Sequence, residues 1–265
     1  MSILKLLAMK KEEQPISMVT CYDAWSAKIL AKSSVDCVLV GDSVSMVVHG
    51  FDSTLSATVD MMSNHVAAVT RGLGASTEKV LVGDMPFMSF RKGKKEAMRA
   101  AEQIMRAGAH AVKLEGVWGH EKIISHLVGS GIPVQGHIGL TPQSIHALGG
   151  YKVQGRHEDQ REDLIKQAEQ LEELGCFSVV LECVPKELSR LISSSLNIPT
   201  IGIGAGPYCD GQVLVMQDML GLNGEFKPKF LKTYLEGGQK YLEAFNDFDK
   251  EVKAHHFPSD KESYQ

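Results

Sequence analysis

A repeated unit constrains the fold of this chain more than any other feature: a stretch with helical periodicity, a small or glycine turn, and a short run rich in Val and Ile. The clearest helical stretches are residues 96–107 and 159–174. They end at Gly108 and Gly175, which can adopt the left-handed conformation of a helix end. Eight runs predict strands, at residues 17–22, 36–41, 79–83, 110–115, 132–136, 177–182, 199–203 and 212–216.

Strands that are apolar on both faces are typical of a parallel sheet covered by helices. Eight βα units in 265 residues favour an α/β fold of the TIM (β/α)8 barrel type. We therefore expect one domain over residues 1–265, with a short N-terminal surface helix, C-terminal helices and a polar tail at residues 249–265. An open doubly wound sheet is the structural alternative.

The composition limits which classes of binding partner and which cellular compartment we expect for this protein. A net charge of −4 provides no basic surface for nucleic acid. No apolar window is long enough for a membrane span or a signal peptide. The five cysteines include no close pair typical of a zinc or dithiol motif, which indicates reduced thiols and a cytoplasmic protein.

Four of the predicted strands end in an acid. The tetrapeptide Leu-Val-Gly-Asp occurs at 39–42 and 81–84, and the runs at 111–115 and 178–182 end in Glu. Active sites of barrels lie at the carboxyl ends of the strands, which places Asp42, Asp84, Glu115 and Glu182 there. Lys113 is two residues before Glu115, so the two side chains share a strand face that can be the barrel interior.

Four buried carboxylates beside one lysine and His137 would repel one another, and a divalent cation would relieve that repulsion. Oxygen ligands without His or Cys at metal spacing favour Mg²⁺ over Zn²⁺. The simpler interpretation is a set of structural ion pairs to Lys113 and nearby arginines, because a single Asp after Gly is often only a cap or a turn former.

Three further segments are candidates for ligand contact. The glycine-rich stretch 202–206 follows the seventh strand, where many barrels bind phosphate, but it lacks the motif of a nucleotide loop. Residues 148–156 are typical of a mobile loop that excludes water, or of an ordinary surface loop. His137 either contacts substrate or caps the turn at 141–142, whereas Cys183 has no adjacent His that would activate it as a nucleophile.

These residues occur within seven ordered blocks through which the chain resembles the ketopantoate hydroxymethyltransferase family over nearly its whole length. The blocks are LVGDS (39–43), DMPFM (84–88), RAGAHAVKLEG (106–116), GHIGLTPQS (136–144), GGYKVQGR (149–156), LECVP (181–185) and IGIGAG (201–206). The resemblance implies a TIM barrel assembled as a homodecamer. It also implies transfer of a hydroxymethyl group from 5,10-methylenetetrahydrofolate to 3-methyl-2-oxobutanoate through a Mg²⁺-stabilised enolate, in pantothenate biosynthesis.

The resemblance also implies roles for individual residues. Asp42, Asp84 and Glu115 match the Mg²⁺-associated acids, and Glu182 matches the general base. The keto acid contacts correspond to Asp42, Ser43, Asp84 and Lys113, and His137 is a further candidate contact. The folate-binding residues are not indicated.

The chain departs from the family pattern at Ser45, where the family commonly has Gly, so we expect a less pliable loop beside Asp42. The alternative enzyme class is a Mg²⁺-dependent oxoacid lyase of the phosphoenolpyruvate mutase and isocitrate lyase group, whose Lys-Lys-Cys-Gly-His loop is absent from this sequence. A catalytically silent scaffold barrel is the third interpretation. The intact acids and Lys113 argue against it.

Overall fold

The computed structural model describes residues 3–224 and 227–265, and its parallel strands form a closed barrel. The strands are β1 (Ile16–Thr20), β2 (Cys37–Val40), β3 (Val80–Asp84), β4 (Ala111–Glu115), β5 (Val134–Gly139), β6 (Ser178–Glu182), β7 (Thr200–Ile203) and β8 (Gly211–Leu214). β1 closes the ring by pairing with β8, with Ile16 opposite Gly211 and Val19 opposite Leu214. The predicted (β/α)8 barrel is confirmed, and the closure excludes the open doubly wound sheet.

Helices alternate with the strands as the repeated unit predicts, except between β7 and β8, where the described residues 204–210 form no helix. They are α1 (Ile3–Lys11), α2 (Ala24–Ala31), α3 (Val44–Val47), α4 (Val59–Leu73), α5 (Lys94–Arg106), α6 (Glu121–Gly129), α7 (Ile145–Leu148), α8 (Glu158–Glu173), α9 (Lys186–Ser195), α10 (Met216–Met219) and α11 (Gly237–Lys253), with 3-10 turns at Thr54–Ser56 and Pro142–Ser144. Gly108 and Gly175, predicted to terminate α5 and α8, adopt φ angles of +113° and +87°. Glycine takes such angles without strain from a side chain.

On several strands, the two faces pack into two separate apolar clusters. On β2, Cys37 and Leu39 belong to a cluster inside the barrel, whereas Val38 and Val40 pack outward with residues of the surrounding helices. Strand period two explains the alternation. It also explains why a strand such as β2 has apolar residues at every position.

The N-terminal helix α1 is more than the surface helix expected from the sequence. Its Leu6 and Met9 are 2% and 7% exposed and join the inner cluster, beside strand residues such as Ile16 and Val80 at the amino ends of β1 and β3. Helix α1 therefore covers the amino-terminal end of the barrel. Burial of these apolar residues stabilises the fold by roughly 25 cal/mol per Å² of apolar area removed from water.

The chain divides into two compact units, Met1–Val215 and Met216–Gln265. The first contains the whole barrel, and the second contains α10 and α11. The single domain expected over 1–265 stays a prediction. Within the predicted polar tail, α11 continues to Lys253, and every residue from 249 onward is exposed. None of the helices in the described ranges is long and apolar enough to cross a membrane.

Candidate active site at the carboxyl ends of the strands

The strand-end acids come together at one end of the barrel because neighbouring strands are in register there. Asp84 is opposite Lys113, Glu115 is opposite His137, and Gly139 is opposite Glu182. On β4, Ala111 belongs to the inner cluster and Val112 and Leu114 to the outer one, so Lys113 and Glu115 share the interior face, as predicted. Lys113, Glu115 and His137 are 4%, 1% and 2% exposed.

The two copies of Leu-Val-Gly-Asp meet directly. The backbone N–H of Asp42 donates to Asp84 Oδ2 at 3.0 Å, between two carboxylates that are 4% and 1% exposed. Burial, together with the negative charges of Asp84 and Glu115, raises the pKa of Asp42 well above its usual value. Burial also raises the pKa of Asp84, although Lys113 opposes that rise. Full ionisation of these acids is therefore unfavourable unless a further cation is present.

The glycines of the two copies are needed for different reasons. A Cβ on Gly41 would approach Ser43 Oγ to 2.8 Å, inside the site. A Cβ on Gly83 would approach the Ile104 side chain to 2.5 Å, at the contact between β3 and α5. One glycine makes room for site residues and the other for a helix.

Lys113 is the central cation. Its Nζ lies 2.6 Å from Asp84 Oδ1. Burial lowers the pKa of Lys113, but the charges of Asp84, Glu115 and Asp42 outweigh burial, and the net pKa is raised. Lys113 therefore stays protonated. The structural ion pair considered from the sequence is present, and it lies within the site.

His137 lies between two acids. Its Nδ1 is 3.5 Å from Glu115 Oε1, and its Nε2 is 3.2 Å from Glu182 Oε2, an ion-pair distance without hydrogen-bond alignment. Burial and the Lys113 charge lower the pKa of His137, but Glu115 and Glu182 outweigh both and raise it to about 9. The imidazole is thus a cation at neutral pH. His137 Nδ1 also lies 3.3 Å from Lys113 Nζ. Two positive charges are thus in contact, and the carboxylates on either side of them offset their repulsion.

Glu182 differs from the other acids in its exposure. Its side chain is 19% exposed, compared with 1% for Glu115 and 2% for Asp84. It is therefore the acid of this cluster that a bound small molecule reaches most directly. Cys183 follows it with a φ angle of +48°, and burial together with the Glu182 charge raises the pKa of the Cys183 thiol to about 12. A protonated thiol fits the expectation that Cys183 is not a nucleophile.

The sequence interpretation missed two site residues. Tyr22 is 1% exposed at the carboxyl end of β1, and its hydroxyl lies 2.8 Å from Ser43 Oγ. Gln143, in the turn after β5, donates its side-chain amide to Asp42 Oδ2 at 2.9 Å. The strand-end rule that located the acids could have found Tyr22, whereas Gln143 is only one polar residue among several in its block.

Ser45 has a clear structural role. It is fully buried, and its hydroxyl lies 2.9 Å from the carbonyl oxygens of both Asp42 and Ser53. The hydroxyl ties the Asp42 turn to the segment that returns towards α4, as expected for a less pliable loop. The site acids keep their mutual contacts with serine at this position.

The glycine-rich stretch 202–206 packs against the protein itself. A Cβ on Gly202 would approach Cys209 Sγ to 2.9 Å, and one on Gly206 would approach Lys186 Cβ to 2.5 Å. These two positions therefore require glycine, because neighbouring side chains occupy the space that a Cβ would need.

In the predicted mobile loop, residues 148–156, Tyr151 is 58% exposed, and burial and the Glu182 charge raise the pKa of its hydroxyl. The mobility of that loop stays a prediction.

The geometry gives little support to a metal site formed by protein side chains alone. Across residues 3–224 and 227–265, no group of three or more His, Cys, Asp or Glu side chains is arranged to hold a metal ion. The assignment of Asp42, Asp84 and Glu115 to a metal therefore stays a prediction. All five cysteines are free thiols, as expected.

A closed (β/α)8 barrel with buried acids, a lysine and a histidine at its carboxyl end has the architecture of a barrel enzyme. The sequence matches the profile of the family described as ketopantoate hydroxymethyltransferase over residues 1–260. It is 54% identical over 263 residues to 3-methyl-2-oxobutanoate hydroxymethyltransferase of Bdellovibrio bacteriovorus, covering 99% of both chains. It is 55% identical over 251 residues to the protein of that name from Coxiella burnetii, covering 94% of this chain and 93% of the other.

Among solved structures, 2,3-dimethylmalate lyase, a member of the PEP mutase/isocitrate lyase superfamily, aligns with a TM-score of 0.63. The alignment covers 98% of this chain and 91% of that one at 15% identity, so this likeness concerns the fold alone. The chain belongs to the ketopantoate hydroxymethyltransferase family. It is a hydroxymethyl-transferring enzyme.

Proposed function

We propose that this enzyme transfers the hydroxymethyl group of 5,10-methylenetetrahydrofolate to 3-methyl-2-oxobutanoate, giving ketopantoate for pantothenate synthesis. The observation that carries the proposal is a row of charged side chains across four neighbouring strands, in which two cations, Lys113 and His137, lie between two acids, Asp84 and Glu182. The row ends at the most exposed of these acids. Such a row can bind an anionic oxoacid and remove a proton from it.

The proton to be removed lies on C3, beside the keto group, and is weakly acidic. Its removal needs a positioned base together with stabilisation of the negative charge that develops on the keto oxygen. We assign the base to Glu182, because its carboxylate is accessible and the neighbouring His137 imidazolium holds it in place. Lys113 supplies a protonated amine on the interior face, where it can attract the carboxylate and keto oxygens of the substrate.

The residues present fit a divalent cation. Four carboxylates face two cations in the cluster, and one divalent ion would balance the excess of two negative charges. We propose Mg²⁺, with Asp42 and Asp84 as ligands and Glu115 as an associated acid. Mg²⁺ commonly takes only one or two protein carboxylates and fills its other positions with water or substrate oxygens, which fits the lack of a three-residue protein site. When bound, the ion supplies Lewis-acid polarisation of the keto group.

The contacts of the keto acid follow from the same positions. Asp42, Ser43, Asp84 and Lys113 lie at or near the carboxyl ends of three neighbouring strands, β2 to β4, and the Tyr22 hydroxyl contacts the Ser43 hydroxyl. After loss of the C3 proton, C3 forms a bond to the methylene carbon of the folate, and the two bonds from that carbon to the folate nitrogens break. Water supplies the hydroxyl oxygen of the product, and one proton from water and the proton lost from C3 are taken up by the two nitrogens of the released tetrahydrofolate. We propose that the loop at 148–156 limits access of bulk water, since the charges of Glu182, Asp42 and Glu115 act on the Tyr151 hydroxyl.

The alternative function is the oxoacid lyase. A TM-score of 0.63 shows that the barrel is shared with that superfamily, but 15% identity carries no shared chemistry. Identity of 54% over the whole chain to a named hydroxymethyltransferase favours the transferase. The absent Lys-Lys-Cys-Gly-His loop points the same way.

We also propose that the protein is a homo-oligomer, a decamer by family resemblance. Helix α11 supports self-association, because it exposes an apolar face whose residues recur at helical spacing. These are Tyr241, Leu242, Phe245, Phe248 and Val252, which are 41–69% exposed. Light scattering on the purified protein gives the number of subunits, and a monomer at micromolar concentration would contradict this proposal.

Proton NMR in D₂O tests the function. The keto acid is incubated with protein, with and without Mg²⁺ and methylenetetrahydrofolate, while the C3 proton and ketopantoate are followed. We expect Mg²⁺-dependent loss of the C3 signal, and product only when the folate is present. Exchange of the C3 proton without product would support the proposed removal of that proton, but it would reject methylenetetrahydrofolate as the one-carbon donor. If the C3 signal persists and no ketopantoate appears, the transferase is rejected and the lyase is the next reaction to test.

A further inference from the structure

We propose that Gln143 is a positioning residue that sets the orientation of Asp42 and Glu115 at the end of the barrel. This inference rests on the proposed function and adds a residue to it. Gln143 lies in the 3-10 turn Pro142–Ser144 and is 3% exposed. No strand contains it, so it reaches the site from the loop that follows β5.

The side chain of Gln143 spans two strand ends. Its Nε2 lies 2.9 Å from Asp42 Oδ2 and 3.0 Å from the carbonyl oxygen of Met85. Both partners are acceptors, so the amide nitrogen, which carries two protons, must be the atom that faces them. One amide group therefore links Asp42, after β2, to the residue that follows β3.

The backbone of Gln143 holds a third position. Its N–H donates to Glu115 Oε2 at 2.9 Å. Gln143 is the second residue of the short turn that begins at Pro142. Its N–H therefore has no partner within that turn and can donate to the carboxylate. Glu115 is then fixed on one oxygen by Gln143, while His137 lies beside the other.

The hydrogen bond from Gln143 determines which oxygen of Asp42 is available to a ligand. Gln143 occupies Oδ2, so Oδ1 is the oxygen left to contact a bound cation or oxoacid. The backbone N–H of Asp42 is occupied by Asp84 at the same time. A carboxylate restrained in this way binds a ligand without first losing rotational freedom, whereas an unrestrained Asp42 side chain could turn towards other donors.

The test compares Gln143→Met with the matched variant Gln135→Met. Gln135 is also a buried glutamine, 1% exposed, but its amide donates to Ser178 Oγ at 2.8 Å and not to a site acid. The readout is binding of Mn²⁺ to metal-free protein, followed by electron paramagnetic resonance with and without 3-methyl-2-oxobutanoate. Steady-state kcat and KM for the keto acid are measured in parallel.

For Gln143→Met we expect Mn²⁺ affinity to fall roughly tenfold or more, as for loss of a hydrogen bond to a charged group. We also expect KM for the keto acid to rise more than kcat falls, because Glu182 is untouched. Gln135→Met should bind Mn²⁺ like the wild type, even with a lowered melting temperature. If Gln143→Met does not fold, Gln143→Asn replaces it, since Asn keeps an amide but is too short to reach both acceptors.

Two outcomes separate this inference from the function beneath it. A wild-type protein that binds Mn²⁺ and forms ketopantoate, with Gln143→Met or Gln143→Asn equal to Gln135→Met in both readouts, overturns the role of Gln143 alone. A wild-type protein that binds no Mn²⁺ and shows no C3 exchange overturns the proposed function and this inference together.

Discussion

Lys113 Nζ lies 2.6 Å from Asp84 Oδ1 inside the barrel, and the two side chains are only 5% and 2% exposed. A buried pair of this kind contributes little net stability relative to apolar residues, because desolvation offsets most of the attraction. Removing one partner is different, because it leaves the other charge buried and unpaired. The pair is therefore better explained by a requirement for charge at this position than by stability.

The first prediction is that Lys113→Met destabilises the protein and abolishes turnover. Loss of the cation leaves Asp84 uncompensated, and breaking a buried pair costs about 3–5 kcal/mol. Chemical denaturation gives the free energy of unfolding, and ketopantoate formation gives turnover. Lys166→Met is the control, because Lys166 is exposed on α8 and lies 4.0 Å from Glu162. Equal unfolding midpoints for the two variants would contradict the argument.

The second prediction concerns Glu182→Gln. We expect kcat to fall by about 10²–10⁴-fold, the usual contribution of a general base, while binding of the keto acid is retained. The C3 exchange rate in D₂O measures the base step directly. Glu187→Gln serves as the control, since Glu187 pairs with Arg190 on the exposed face of α9. Near-normal exchange in Glu182→Gln would remove Glu182 from the role of base.

The third prediction is a loss of stability at alkaline pH through His137. Its pKa is raised to about 9 in the folded protein against 6.5 for an unperturbed imidazole, so protonation favours the folded state. The contribution, at most about 3 kcal/mol, is complete below pH about 6.5 and is lost as pH rises through about 9. Unfolding of metal-free protein by urea between pH 6 and 10 measures it. His137→Gln should show a shallower decline over that range, and parallel curves for variant and wild type would refute the assignment.

The fourth prediction is that Tyr22→Phe raises KM for the keto acid more than it lowers kcat. The hydroxyl of Tyr22 lies against Ser43 Oγ, a proposed substrate contact, and its loss leaves that serine free to rotate. Loss of one neutral hydrogen bond should lower stability by about 0.5–1.5 kcal/mol. Tyr264→Phe is the control for both measurements, because Tyr264 is fully exposed in the tail. An unchanged KM would mean that Ser43 does not depend on Tyr22.

Much of the fold could be predicted because local sequence and long-range topology agree. The apolar runs at 36–41 and 79–83 contain residues for both faces of a strand, and β2 and the first four residues of β3 lie within them. In a parallel barrel, the last residues of all the strands lie at the same end. Asp42, Asp84, Glu115 and Glu182 could therefore be assigned to one end from their positions alone. The N-terminal helix was less predictable, because burial of Leu6 and Met9 depends on the open end of the barrel that α1 covers.

The sequence alone determined the class of fold, the end of the barrel that carries the acids, and the family. Only the tertiary structure decided which groups contact one another: the Asp42 backbone with Asp84, Lys113 with His137, and Gln143 with Asp42 across 101 residues of chain. The physical reason is that strand periodicity is a local property that residue types reveal directly. A hydrogen bond depends on distances of a few tenths of an ångström, which barrel closure and strand register set.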